Sequence, residues 1–336
     1  MATDEQGSEE HGVAFMAQFT ADDLPVTVGQ ARKSPNWPQW KQAMEKEMRS
    51  HKVNHTWDLT EHTKDIRNVI GTRWVFAVKY DSTGKLVRYK ARLVAQGFSQ
   101  IQGIDFEDTY APVVRYDSLR ILLRVAAARK LDVHQMDFDT AYLNSSLTEE
   151  IYAKHPPGVN ILTGDVNDDD DGSHQAITTS LILKLCKTLY GLKQSGREWF
   201  GTLRESLQRH GFQQLNFDPC VFAGDVEGQQ IIIAVYVDDL LLIGELPAIA
   251  HTKKLISESF ECKDLGPVKY LLGLEINVGK EATTITQLAY AERVLERFGM
   301  ENSNPRHTPV DAGTFPHRSN SPTDPEHART YQQLVG

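Results

Sequence analysis

The run Ile231-Ile232-Ile233-Ala234-Val235-Tyr236-Val237-Asp238-Asp239-Leu240-Leu241-Leu242-Ile243 carries more structural information than any other part of this 336-residue chain. Two apolar stretches of strand length flank a pair of carboxylates. Asp tolerates turn geometry, so taken alone the run reads as a β-hairpin with an acidic turn. A second acidic spot, Gln135-Met136-Asp137-Phe138-Asp139, closes another strand that begins near Leu131. Alone, Asp137 reads as a strand-end residue. If the two strands are neighbours in one sheet, however, Asp137 and Asp238 converge on a single point. Three clustered carboxylates repel one another unless cations sit between them. Oxygen-only donors suit magnesium or manganese. Two such ions about 3.5–4 Å apart can activate an attacking hydroxyl and stabilise a leaving pyrophosphate in an in-line displacement.

Working outward, residues 1 to about 33 lack periodicity, and 1–36 is expected to be a flexible tail. Ser34-Pro35-Asn36 offers helix-start chemistry, followed by Trp37, Trp40, Met44 and Met48 at helical spacing. Arg73 to Val94 reads as a hairpin turning at Asp81-Ser82-Thr83-Gly84, with bases between apolar residues on both arms. Asp117 or Ser118 can cap a helix whose inner face carries Leu119, Leu122, Leu123 and Ala126. Pro156 to Thr179 is loop-like, rich in Pro, Gly and Asp. A helix is predicted over 196–210, with Trp199, Leu203 and Leu207 inward and Gly211 as its stop. Another is predicted over 247–260, before strand-like Lys269 to Val278 and a less regular remainder. Helices and strands do not alternate strictly, and tight turns join the strands. The pattern therefore predicts an α+β fold, an antiparallel sheet with helices on one face.

The net charge of −9 argues at first sight against a nucleic-acid partner. Distribution matters more than the sum. Arg67 to Arg92 holds seven basic residues (Arg67, Arg73, Lys79, Lys85, Arg88, Lys90, Arg92) against one acidic, Asp81. The surplus acid lies in the N-terminal segment and in Asp165 with Asp168 to Asp171. Taken alone, the basic stretch reads as a solvated hairpin face. It could equally supply the positive charge that a triphosphate needs. Cys186, Cys220 and Cys262 are scattered, supporting neither a disulfide framework nor a zinc site. The acidic N-terminus does not read as a secretory signal, and no apolar run approaches the roughly 20 residues of a membrane helix. The expected setting is intracellular, with no membrane partner.

Four blocks, in order, carry a family resemblance: Arg73 to Val113, Val133 to Asn144, Lys187 to Trp199, and Tyr236 to Gly244. Together they resemble copia-type retrotransposon polymerases, over nearly everything from Trp37 onward. The resemblance implies a right-hand polymerase, a reverse transcriptase using Mg²⁺ (two ions, with Mn²⁺ as the alternative), a dNTP and a primed RNA or DNA template. It implies fingers over 37–115 and 150–185, a palm over 116–149 and 186–275, and an incomplete thumb over 276–336, ahead of any ribonuclease H domain. It assigns metal binding to Asp137, the Phe138 carbonyl, Asp238 and Asp239. Lys79, Lys90 and Arg92 resemble triphosphate contacts, and Tyr142 the aromatic beneath the incoming sugar, where it would exclude a 2′-hydroxyl. Gly191 and Gln194 fall in the block lining the nucleotide pocket, and Leu272-Gly273 in the primer grip. The family setting is a cytoplasmic virus-like particle.

The chain departs from the family pattern at Gly196, where proline is usual, and at Ser145, where glycine is usual. Two other readings remain open. Asp137-Phe138-Asp139 superficially fits the haloacid-dehalogenase-like phosphatases, but Thr140-Ala141 does not continue their motif and their sheet is parallel. Alternatively, the chain is an inactive retroelement relic or a domesticated nucleic-acid-binding protein. The intact aspartates argue against long decay.

Overall fold

A computed structural model describes residues 24–80, 86–158, 181–279, 282–308, 313 and 324–335. Helix α1 (Val28–Lys33) lies inside the segment expected to be a flexible tail over 1–36, and Thr27 explains it. The Thr27 hydroxyl accepts from the Gln30 N–H at 3.1 Å, while the Gln30 side chain accepts from the Thr27 N–H at 3.2 Å. This capping box satisfies two otherwise orphaned donors, and Val28 and Ala31 are buried. Helix α2 (Trp37–Val53) follows as predicted, with Trp40 and Met44 buried.

After β1 (Trp57–Glu61), strands β2 (Thr72–Tyr80) and β3 (Leu86–Ala95) form the expected antiparallel hairpin. Its turn, Asp81 to Gly84, lies outside the described residues. Trp74, Phe76, Ala91 and Leu93 face α1 and α2 in one apolar cluster. Strand alternation then sends Lys79, Arg88, Lys90 and Arg92 to the opposite face. Helix α3 (Tyr116–Arg129) starts one residue ahead of the expected caps, and neither Asp117 nor Ser118 caps it. Asp218, distant in sequence, braces the helix start instead: its Oδ2 accepts from the Arg115 N–H at 3.1 Å and the Ser118 hydroxyl at 2.6 Å.

Strand β4 (Asp132–Phe138) is followed by β5 (Ser146–Ala153) and β6 (Leu181–Lys187). The last two make an antiparallel sheet of order β1-β6-β5 that the sequence did not announce. Most of the loop expected from Pro156 to Thr179 lies outside the described residues. Next come α4 (Ser195–Arg209), β7 (Gln213–Leu215), β8 (Asp218–Val226), β9 (Gln229–Tyr236), β10 (Asp239–Gly244), α5 (Leu246–Ser259) and β11 (Cys262–Pro267). The main sheet runs β11-β4-β10-β9-β8-β7, with every neighbouring pair antiparallel. The α+β expectation holds. Leu240, Leu241, Leu242 and Ile243 are all buried. Successive strand residues point to opposite faces, so both faces of the sheet are covered there. Helix α4 covers the face bearing Phe138, whose ring meets Trp199 edge-on at 4.9 Å.

The chain divides into two compact units, 1–270 with 276–284, and 271–275 with 285–336. Short strands β12 (Tyr270–Leu271) and β13 (Leu274–Val278) are joined by a turn at Leu272-Gly273. Beyond β14 (Thr283–Thr286), the stretch expected to be irregular contains helices α6 (Leu288–Arg297) and α7 (Pro325–Val335). Among the described residues, no helix is long and apolar enough to cross a membrane.

Candidate active site

The register of the main sheet makes Asp137, on β4, the direct cross-strand partner of Asp239, on β10. Asp238 precedes Asp239 in the tight turn from β9 to β10. That turn puts Val237 at φ 54°, a region costly for a β-branched side chain. Two hydrogen bonds hold it there. The Trp199 indole N–H donates to the Val237 carbonyl at 2.7 Å, and the Phe138 N–H donates to the Asp238 carbonyl at 2.9 Å. The helix of the 196–210 prediction thus has a second role: its buried tryptophan clamps the acidic turn.

The carboxylates oppose one another's ionisation. Burial, then Asp238, Asp239 and Asp139, pushes the Asp137 carboxyl up to about 6, with Lys263 acting against them. Burial also raises Asp239, and Asp238 adds to the rise. The Gln135 amide, donating to Asp239 Oδ1 at 2.8 Å, opposes it. Acids that resist sharing negative charge stand to gain from a cation between them. Their all-oxygen donor set matches a hard divalent ion. Among the described residues, no three His, Cys, Asp or Glu side chains close around one point as a finished cage. The aspartates therefore have the right chemistry for a metal without being drawn together around one.

An aromatic bridge joins this acidic centre to the basic hairpin. The Arg92 guanidinium lies 4.8 Å above the Tyr190 ring, and Tyr190 meets Tyr142 edge-on at 4.6 Å. Burial pushes the Tyr190 phenol up to about 12; Arg92 opposes this, while Asp238 and Tyr142 add to it. Burial likewise raises Tyr142, and Asp238 raises it further. Arg92, the two rings and Asp238 thus share one electrostatic environment. On the same hairpin face, burial followed by Arg92, Arg88 and Lys79 pushes Lys90 down to about 8. Positive charge crowded this closely favours a polyanion.

A sequence model of the family described as reverse transcriptase (RNA-dependent DNA polymerase) matches residues 54–312. The chain belongs to the reverse transcriptase family. It is 39% identical over 295 residues to the retrovirus-related Pol polyprotein from transposon TNT 1-94 of Nicotiana tabacum, covering 86% of this chain and 21% of that relative. With the Pol polyprotein from transposon RE1 of Arabidopsis thaliana it shares 35% identity over 298 residues, covering 88% of this chain and 19% of the relative. The resemblance to copia-type polymerases is borne out, and the chain spans about a fifth of these relatives' length. A structure of the foamy viral protease-reverse transcriptase dRH in complex with ds DNA aligns with 76% of this chain and 36% of its own. Its TM-score is 0.34 at 11% identity.

Among the residues that the family resemblance singled out, this reverse transcriptase chain sets Asp137 opposite Asp239 with Asp238 in the adjoining turn, and links Arg92 to Tyr142 through Tyr190. Lys79 and Lys90 share the hairpin face of Arg92. Gly191 has φ +90°, and a Cβ there would lie 2.2 Å from the Ala95 carbonyl oxygen. With Ala95 N–H donating to Tyr190 O at 2.7 Å, it splices the Tyr190 loop onto β3. Gln194 is buried, its Nε2 donating to Asp105 O at 2.7 Å and its Oε1 accepting from Gln100 at 3.0 Å. Its polar atoms brace the 100–105 segment. Leu272 and Gly273, both at positive φ, form a turn in the second compact unit. Gly196 lies within the first turn of α4, and Ser145 buries a hydroxyl that has no hydrogen-bond partner among the described residues.

Sequence reasoning missed Tyr190, Trp199 in its clamping role, and Lys263. Tyr190 sits beside Gly191 in one of the quoted blocks, but no periodicity marks it. Its importance appears only when β3 and the 188–194 loop meet.

Proposed function

We propose that this chain catalyses RNA-directed DNA synthesis, joining a dNTP to a primer 3′-hydroxyl with release of pyrophosphate. The supporting observation is the pairing of Asp137 with Asp239 beside the clamped Asp238, linked through Tyr142 and Tyr190 to Arg92. In this reading Asp137, Asp238 and the Phe138 carbonyl would hold two Mg²⁺ ions, with Asp239 assisting. When bound, such ions supply Lewis-acid activation of the hydroxyl and charge neutralisation at the leaving group. Arg92, Lys79 and Lys90 hold the triphosphate, and their crowding on one hairpin face lowers the cost of accepting its charge. Tyr142 presents a ring to the incoming sugar and excludes ribonucleotides. Residues 37–115 with 150–185 act as fingers, 116–149 with 186–275 as palm, and 276–336 as part of a thumb. The primed template lies along these, with Leu272-Gly273 gripping the primer.

Primer extension on poly(rA) annealed to oligo(dT), with dTTP and Mg²⁺, tests the reading alongside Asp238→Asn. The parent is expected to extend the primer and the variant to fall to background. Equal extension by both would mean that the ligands are wrongly assigned. A folded parent that binds primer–template but never extends it would instead favour a nucleic-acid-binding relic.

A further inference from the structure

The polymerase reading leaves one cation beside the aspartates without a role. Lys263 on the edge strand β11 is the direct cross-strand partner of Asp137. Cross-strand partners place their Cβ atoms about 4.5–5.5 Å apart, within easy reach of a lysine's four-carbon stem. Yet the ammonium forms no ion pair with Asp137 and acts on it only at longer range. It donates to Asp139 Oδ1 at 2.8 Å. Asp139 lies two residues beyond Asp137, and its own N–H donates to the Glu261 carbonyl at 3.1 Å, which ties it to the start of β11. The other lysine near this pair of strands, Lys253, is occupied at the far end of β4 by Asp264 and His134. Lys263 therefore has two carboxylates within range, and Asp139 holds it.

We propose that Asp139 is a positioning residue that tethers Lys263 away from Asp137 and so keeps the Asp137 carboxylate open to a divalent cation. The inference rests on the metal-binding reading above. Without the tether, the ammonium would swing to its direct cross-strand partner and compete there as an internal monovalent cation. Like charges explain the direction. Asp137 is faced by Asp238, Asp239 and Asp139 as well as by Lys263, so a freed lysine gains more at Asp137 than it does in water. Both side chains of the tether are partly exposed, which limits the effect to a modest change in affinity.

The test measures binding without turnover. Mn²⁺ is titrated into the metal-free protein, and the unbound ion is read by electron paramagnetic resonance. Parent, Asp139→Asn, Lys263→Met and the double variant are compared, with thermal melting to confirm that each is folded. Asp139→Asn is expected to weaken the site about three- to tenfold. Lys263→Met removes the competitor, so it should bind at least as tightly as the parent. The double variant should match Lys263→Met, because without the lysine the tether has nothing to hold. A double variant as weak as Asp139→Asn would make Asp139 itself a ligand and overturn the proposal, as would an Asp139→Asn variant that binds like the parent. Parent binding that survives Asp238→Asn would remove the metal-site reading and this inference together. If Asp238→Asn abolishes binding but the Asp139 and Lys263 variants leave it unmoved, the inference alone falls.

Discussion

At Asp137 burial and clustered like charge act on a single side chain. Burial and three neighbouring aspartates move its pKa from 3.8 to about 6. A carboxyl whose pKa rises on folding binds its proton more tightly in the folded state. Its contribution to stability is therefore whole below about pH 3.8 and is lost as the pH rises through about 6. At neutral pH the ionised, metal-free group costs about 2 kcal/mol, once its partial exposure is discounted. Asp137→Asn is thus expected to melt a few degrees above the parent in EDTA at about pH 7.5, with the gap narrowing toward about pH 5. Mg²⁺ should then stabilise the parent and leave the variant unmoved. Differential scanning calorimetry across that range decides it. A variant that melts below the parent at the upper pH would show that attractive contacts dominate at Asp137. The three aspartates were legible in the sequence because they lie where apolar strands begin, end or turn. Lys263 and Tyr190 were not, since each matters only through a partner that folding brings to it from far along the chain.

Among the elements, α3 illustrates why local reading finds a helix more easily than its cap. Leu119, Leu122, Leu123 and Ala126 repeat at helical spacing, and all are buried. The brace at its start comes from β8: the buried Asp218 takes the Arg115 N–H, the Ser118 hydroxyl and, through Oδ1 at 2.9 Å, the Cys220 N–H. Removing that carboxylate strands two backbone donors, that of Cys220 buried, and the buried Ser118 hydroxyl, so Asp218→Ala is expected to cost about 2–4 kcal/mol. Ser118→Ala, which loses one of the three bonds, should cost about 1 kcal/mol. Urea unfolding of both variants measures the difference; near-equal losses would mean that the carboxylate does not organise the helix start. The strands of the main sheet next to the acidic turn were legible by their unbroken apolar runs. Strands β1, β5 and β6 were not, because they mix polar and apolar residues and gain their partners only in a sheet of order β1-β6-β5. Helix α1 was legible in principle: Thr27 and Gln30 are a capping box three residues apart, passed over because the segment is short.

For the molecule as a whole, the proposed function requires a chain of net charge −9 to hold a nucleic acid. Lys79, Arg88, Lys90 and Arg92 occupy one face of the hairpin, opposite the face that packs on α1 and α2. In physiological salt a charge is felt over about 8–10 Å, so a strand on that face senses the bases beneath it more than the summed charge of the chain. At low salt the screening length grows, and the acidic remainder begins to repel the same strand. With no dNTP present to occupy these bases, affinity for a primed template should therefore fall with rising salt as counterions are released, with a slope of about −3 to −4 if they meet its phosphates. Below about 30 mM salt the dependence should flatten as the net negative charge comes into play. Lys79→Ala should reduce the slope by about one while leaving template sequence preference unchanged. Fluorescence anisotropy with labelled RNA–DNA hybrids of two sequences across a KCl series reads these effects. A slope near zero that Lys79→Ala does not alter would show that the hairpin face does not hold the strand. Binding would then have to come from surfaces whose charge the sequence places elsewhere.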